Sequence, residues 1–192
     1  MPLLSPTDPL PALPTRVVVA GTSGSGKTTL AARIAEILEV QHIEIDGLYH
    51  GPDWTPRPSF TADVAAFSAE PAWTTEWQYS PVRLLLLERA DLLVWLDLPT
   101  RTAMRQVIGR TLRRRLRREE LWNGNVEPPL HTFFSDPEHI VRWAWSTRHK
   151  ARQRISAARQ TRPELPIVHL RSHRESEQWL RHVLTPMNRN RA

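Results

Sequence analysis

The chain contains no cysteine. Disulfide scaffolds, thiolate metal sites and thiol nucleophiles are therefore excluded, and a reducing compartment is the natural setting. Long hydrophobic runs are missing as well. The richest, Val17–Ala20, Leu84–Leu87 and Leu92–Leu98, are the size of a strand or a short helix, well below the roughly 18 residues of a membrane span. The N terminus lacks a basic flank, and prolines at 2, 6, 9, 11 and 14 interrupt any signal-like core. Among the eight histidines there is no H-E-x-x-H pattern, so no zinc site is expected. These absences point to a soluble cytoplasmic protein without membrane partners.

Acidic residues are absent from one stretch. Residues 101–118 hold eight arginines, at 101, 105, 110, 113, 114, 115, 117 and 118, and no acid. The formal net charge is +6, so the rest of the chain carries 6 − 8 = −2. The basicity is a local block, suited to a polyphosphate, a nucleic acid or a solvated helix face. Only two of the 26 cations are lysines, Lys27 and Lys150. Arginine suits forked recognition of oxyanions, although coding bias would give the same preference.

What is present reads as one globular domain. The 192 residues, 40% apolar and 24% charged, are enough for a single core and too few for two comfortable ones. Residues 1–15 read as a flexible Pro-rich tail, residues 16–186 as the domain and residues 187–192 as a C-terminal tail. Arg16–Ala20 is a buried strand, Gly21–Thr28 a glycine-rich turn, and Thr29–Val40 a helix with apolar residues at 30, 34, 37 and 38. His42–Asp46 reads as a short strand ending on an acid, Gly51–Pro58 as loop, and Thr61–Glu70 as a helix opened by a threonine cap. Trp73–Tyr79 has strand composition and Pro81–Arg89 reads as helix. Asp91–Leu98 is a near-continuous apolar strand of the kind covered on both faces. Helices follow over Thr100–Arg118 and Glu138–Ala158, then a strand over Pro166–Arg171 and a helix over Glu175–Leu184. This alternation implies an α/β fold with a parallel sheet of about five strands in a three-layer arrangement.

One motif carries the chemistry. Gly21-Thr22-Ser23-Gly24-Ser25-Gly26-Lys27-Thr28 matches G-x-x-x-x-G-K-[ST] in full, and it lies between an expected strand and an expected helix. Glycines let the backbone curl so that successive N–H groups face one phosphate chain, and the helix N terminus adds positive dipole. Lys27 is expected at the β- and γ-phosphates of ATP and the Thr28 hydroxyl at Mg²⁺. A chance match in a chain of this length is expected about 1% of the time or less. Thr29 completes the turn as a further phosphate-side residue.

The rest of the chain narrows the class. GTPase base-reading patterns of the N-K-x-D type are absent. No acidic pair follows the hydrophobic strand that ends Leu96-Asp97-Leu98-Pro99, as a motor ATPase requires. Asp97 fits either a Mg²⁺-shell position or the cap of the next helix. Asp46 closes the strand after the P-loop helix, where it could hold an acceptor hydroxyl, or belong to an Asp-Gly turn. At 100° per residue, Arg110, Arg113, Arg114 and Arg117 share about a quarter-turn, with Met104, Val107, Ile108 and Leu112 on another face. Such a row could close over the nucleotide as a lid spanning about 101–125, with Arg110 and Arg114 on the transferring phosphoryl group.

The chain resembles the adenylate kinase-related P-loop kinases, and within them the small group often called DNA topology modulation proteins. Gly21–Thr29 matches that group's phosphate loop, and Ile43–Trp54 (IEIDGLYHGPDW) its h-x-h-D-x-L-Y segment with P-x-W. Trp73–Tyr79 (WTTEWQY), Arg89–Pro99 (RADLLVWLDLP), the arginines of 105–118 and Arg142–Trp145 (RWAW) align with its remaining motifs. The likeness covers residues 16–172. It implies strand order 2-3-1-4-5 and places Arg171-Ser172 near adenine. It also sets Asp46, Trp54, Glu76, Gln78 and Tyr79 on the acceptor side. One departure falls there: Glu76-Trp77-Gln78-Tyr79 stands where the group has Asp-Gly-Asn-Tyr, so acid, amide and ring persist while a flexible glycine becomes tryptophan.

The expectation is an ATP- and Mg²⁺-dependent kinase acting on a small-molecule acceptor, with nucleosides or nucleotides the first choice. An ATP-switched nucleic-acid-binding regulator with 101–118 as its footprint is the rival from another class. A toxin-like kinase of a nucleotide sugar is a third alternative.

Overall fold

The computed structural model describes residues 3–117, 119–125 and 150–189. Its centre is the valine run of β2 (Arg16–Gly21), in which Val17, Val18 and Val19 are fully buried. Beside it lie β4 (Trp73–Glu76) and β5 (Leu92–Leu96). The sheet is completed by β1 (Leu3–Leu4), β3 (Gln41–Ile43) and β6 (Ile167–Leu170), in the order β1-β6-β5-β2-β4-β3. Every pairing is parallel. Without β1, this is the expected order 2-3-1-4-5.

Strand alternation splits the core into two layers. Val17 and Val19 point to the layer filled by α1 (Lys27–Leu38) and the C-terminal helical run, with Leu30, Ile34, Trp179 and Leu184. Val18 and Ala20 point to the other layer, where α3 (Phe60–Phe67), α4 (Ser80–Arg89) and α6 (Lys150–Thr161) bring Val64, Leu86 and Ile155. The short α2 (Ile45–Tyr49) follows β3, and α5 (Thr100–Arg117) follows β5. The apolar spacing of α1, at 30, 31, 34, 35 and 38, makes one buried stripe. It stops at Glu39, whose left-handed backbone (φ 57°) turns its N–H back to the carbonyls of Ala35 and Glu36. The C-terminal run is α7 (His173–Trp179), a π-helical turn (Leu180–Leu184) and α8 (Thr185–Arg189).

Several expectations are corrected. The sheet of about five strands gains a sixth at its edge, because residues 1–15 are not a free tail. Leu3 and Leu4 pair with Ile167 and Val168, and Leu4 and Leu10 are buried in the α1 layer. The prolines prevent a helix there but leave an edge strand possible. At the other end, Met187 packs on the same core and Asn188 Nδ2 donates to the Ile37 carbonyl at 2.8 Å, so the domain runs past residue 186. The strand expected over His42–Asp46 stops at Ile43, and Asp46 sits in the first turn of α2. Ser59, not Thr61, precedes α3. Of the helix expected over Glu138–Ala158, residues 138–149 lie outside the described residues, as do Arg118, Arg142–Trp145 and Arg148.

The face of α5 also differs from expectation. Ala103, Val107 and Thr111 are its buried positions, whereas Ile108 and Leu112 are exposed. Small side chains face inward because this helix packs backbone-close on Gly24 of the P-loop. Among the described residues no helix is long and apolar enough to cross a membrane.

Candidate active site

Parallel strands deliver their following loops to one edge of the sheet, and the site is built there. Residues 21–28 run from the last residue of β2 into the first turn of α1. Gly24 (φ 76°) and Gly26 (φ 89°) are left-handed, which lets the loop curl. A Cβ on Gly24 would also stand 2.3 Å from Val107 Cγ2 and 2.5 Å from the Ala103 carbonyl. The N terminus of α1 has no side-chain cap and no acid in its first turn. Its N–H groups are thus left for an anion, as a phosphate cradle requires.

Lys27 lies inside this cradle, with Nζ donating to the Thr22 carbonyl at 3.1 Å. Burial lowers its pKa, while the charges of Asp46 and Glu76 oppose that shift. The Thr28 hydroxyl makes no hydrogen bond among the described residues. A free hydroxyl of this kind is a hard oxygen donor. No group of three or more His, Asp or Glu able to hold a metal occurs among the described residues, so such an ion would need phosphate oxygens to complete its shell. Asp97 does not join this set. Its carboxylate is held by Arg152 (3.3 and 3.2 Å) and by His169 Nε2 (3.1 Å). His169 and His173 stand four apart in sequence but serve different partners: His169 stacks on Trp95, and His173 Nε2 lies 2.6 Å from Gln106 Nε2.

Asp46 is the second centre. Its Oδ1 accepts from Gln78 Nε2 and from the Tyr79 hydroxyl, each at 2.6 Å, leaving Oδ2 without a protein donor among the described residues. Burial raises its pKa, against the Tyr79 hydrogen bond and the charge of Lys27. Tyr79 is pushed upward by burial and then by Asp46, so it stays a donor. Because its single proton goes to Asp46, the His50 Nε2 at 3.1 Å must be the donor in that contact. Tyr79 holds this position with φ 58°, a strained backbone for a ring-bearing residue.

Glu76 does not line the site as expected. It is 1% exposed, and its two oxygens serve His42 Nε2 (3.1 Å) and the Ile45 N–H (3.0 Å). Burial acts to raise its pKa, but these two hydrogen bonds and the nearby His42 outweigh it, and the net shift is downward. Glu76 thereby ties β4 to the start of α2 and positions Asp46. Trp77 is also structural: it is buried in the core and its Nε1 donates to the Arg83 carbonyl at 2.9 Å.

Trp54 belongs to an aromatic wall above Asp46. Tyr49 stacks on Tyr79 with ring centroids 3.9 Å apart, His50 stacks on Trp122 at 6.0 Å, and Trp54 meets Trp122 edge-on at 6.3 Å. Asn125 fastens the wall: it accepts from the Trp54 N–H (2.9 Å) and donates to the carbonyls of Gly51 (2.8 Å) and Trp122 (2.7 Å). Sequence reading missed His50, Trp122 and Asn125. Only the W-N-G-N turn, with left-handed Asn123 and Gly124, hinted at them.

The arginine block divides by face. Arg110 and Arg114 flank the buried stripe, and Lys27 feels the Arg110 charge. Arg114 lies over the Trp122 ring at 5.9 Å and pairs with Glu119 at 3.8 Å. Arg113 and Arg117, expected in the same row, are exposed. Arg154 was also missed. It is half-buried, it makes no hydrogen bond or ion pair among the described residues, and its charge acts on Lys27 and Arg83. Arg171, expected beside adenine, lines a cavity with Asp97 and Trp95 that also reaches Thr22 and Ser23 of the P-loop. His173 is the residue that reaches the loop, 3.5 Å from the place of a Cβ on Gly26.

Neither family models nor curated protein sequences match this chain. Solved structures do. A gluconokinase from Sinorhizobium meliloti 1021 is similar over 93% of this chain and 94% of its own, with 20% identity and a TM-score of 0.53. A shikimate kinase from Acinetobacter baumannii, solved with shikimate, is similar over 87% and 89%, with 14% identity and a TM-score of 0.50. The fold is that of these P-loop kinases: a parallel sheet with helices on both sides.

Proposed function

We propose that this chain is an ATP-dependent phosphotransferase that moves the γ-phosphoryl group to a hydroxyl of a small-molecule acceptor. The observation that carries this is Asp46, a buried carboxylate with one oxygen fixed by Tyr79 and Gln78 and the other open, in the field of Lys27. A raised pKa and a fixed orientation are what a general base for a hydroxyl needs. The acceptor oxygen would attack the γ-phosphorus, the bond to the β-phosphate oxygen would break, and the hydroxyl proton would pass to Asp46. ADP is the leaving group. Lys27, Arg110 and the N–H groups of residues 24–29 would hold the phosphates. Bound Mg²⁺, held through Thr28, would neutralise charge on the triphosphate.

This base favours alcohols over phosphates as acceptors. A nucleotide phosphate is already ionised, needs no base, and would be repelled by Asp46. A nucleoside hydroxyl fits, and so does a polyhydroxy acid of the kind named for the two similar structures. Arg154, which has no partner among the described residues and whose charge acts on Lys27, supports an acceptor that carries a negative group of its own. The membership suggested by the sequence motifs, the DNA topology modulation group, stays compatible with this chemistry. A nucleic-acid-binding role would draw on the exposed arginines 105, 113 and 117, which this site leaves unused.

ADP release should be measured with ATP and Mg²⁺ across gluconate, shikimate, other sugar acids, nucleosides and nucleoside monophosphates. At least one hydroxyl acceptor should raise release above the no-acceptor rate, and monophosphates should not. Stimulation by monophosphates alone would contradict the assignment of Asp46.

A further inference from the structure

A cavity of about 750 Å³ opens at the C-terminal ends of β5 and β6. It lies on the sheet face opposite α1, because Trp95 and His169 point there while Leu96 and Leu170 face α1. None of Lys27, Thr28 or Asp46 lines it. It meets the P-loop only at Thr22 and Ser23, on the strand side of Gly24. Gly26, at the other end of the loop, faces His173, which is in contact with Gln106. The volume is that of a small-molecule site rather than of a packing defect.

Its polar groups are in surplus as donors. Asp97 is matched by Arg152 and His169. Arg171 is not matched: among the described residues only its backbone N–H is used, by Glu175 Oε2 at 2.7 Å, and its guanidinium has no acceptor. The indole Nε1 of Trp95, a residue only 8% exposed, also has no partner. Two guanidiniums against one carboxylate leave the rim with one uncompensated positive charge. The remaining wall is apolar, with Leu3, Leu98, Pro99 and Met104. Leu3 comes from the edge strand β1.

We propose that this cavity binds a small organic anion, a carboxylate or a phosphate monoester on an apolar body, at the same time as the P-loop holds its nucleotide. Arg171 takes the anionic group, and the Leu98, Pro99 and Met104 side takes the apolar body. The cavity is separate from the acceptor site, which lies across β2 at Asp46.

The test uses the full chain and anilinonaphthalene sulfonate, a fluorescent organic monoanion, titrated with and without saturating Mg²⁺–ADP. Saturable one-to-one binding that survives ADP is expected. Arg171→Ala should weaken it about tenfold, the loss typical of one charge-assisted hydrogen bond. Thr100→Trp, which fills the cavity from its rim, should abolish it. Lys27→Ala should lose ADP binding and keep the probe, which separates this inference from the kinase assignment. Phenyl phosphate and phenylacetate as competitors distinguish the two headgroups, and displacement by either supports the site. Displacement of the probe by ADP, unchanged binding in Arg171→Ala and Thr100→Trp, or failure of both competitors would each overturn it.

Discussion

The proposed phosphate side and the proposed acceptor side of the cleft are made in opposite ways. The phosphate side is eight consecutive residues, Gly21 to Thr28, whose backbone does most of the work. The acceptor side is assembled from β3–α2, the loop at 50–54, the end of β4 and the turn at 122–125, and side chains do nearly everything. A contiguous backbone device tolerates no change of shape but needs no distant partner. A dispersed side-chain device can change its substrate by one substitution, provided that Glu76 and Asn125 still hold its parts in register. The two meet only through charge: Lys27 and Asp46 each shift the other's ionisation.

Substitutions should separate the two sides. The largest effect is expected at Lys27, which has no substitute within the cradle. Lys27→Ala should lower turnover by about 10³-fold, at the upper end for removal of one electrostatic group, with an unchanged circular dichroism spectrum. Next comes the arginine block. Arg110→Ala should lower kcat by about 10²-fold, less than the roughly 10³- to 10⁵-fold of a single arginine supplied to a transferring phosphoryl group, because it is one member of a cluster. Exposed Arg113→Ala should stay within about twofold. Equal losses at the two positions would break the division of the helix by face.

Smaller effects should mark the acceptor side. Tyr79→Phe removes the hydrogen bond that holds the Asp46 pKa down, so that pKa should rise further. Activity that needs ionised Asp46 falls as pH drops through this pKa. The acid limb of the kcat profile should therefore move to higher pH, with a loss of about tenfold at neutral pH, the scale of a hydrogen bond to a charged group. Glu76→Gln should act on stability first. Its folded pKa is depressed, so its contribution is present above the ordinary glutamate value and is lost as pH falls through the folded value. Denaturant unfolding should show a loss of about 1–3 kcal/mol at neutral pH, the usual penalty for a weakened buried hydrogen bond, and little difference from wild type in acid.

The fold was legible where pattern is local. The Val17–Val19 run, the helix spacing after the P-loop and the apolar strand ending at Leu96 each announce their own element, and parallel connectivity follows from their alternation. The edge strand at Leu3–Leu4 was not, because two residues carry no period and the prolines around them suggest disorder. On the acceptor side, the sequence offered Asp46, Gln78 and Tyr79 through likeness to known motifs. It could not show that Glu76 turns inward to Ile45 and His42, since β4 is buried on both faces and strand alternation then gives no outward side. His50, Trp122 and Asn125 were invisible for another reason. They meet across more than 70 residues, and nothing in either segment encodes the other. The apolar face of α5 was misplaced at Ile108 and Leu112 because helical spacing gives angles but not the direction of the core. Gly24 sets that direction by drawing Ala103 and Val107 close.

The division of labour between the two sides is tested most directly in Asp46→Asn. Nucleotide affinity, from titration with ATP and Mg²⁺, and kcat for phosphoryl transfer to the accepted hydroxyl should be measured on the same preparation. The account predicts a fall in kcat of about 10²-fold, the loss typical of a general base, with ATP affinity changed less than about threefold by the loss of one charge near Lys27. A large loss of ATP affinity with normal transfer at saturating ATP would contradict it, and would place Asp46 on the phosphate side instead.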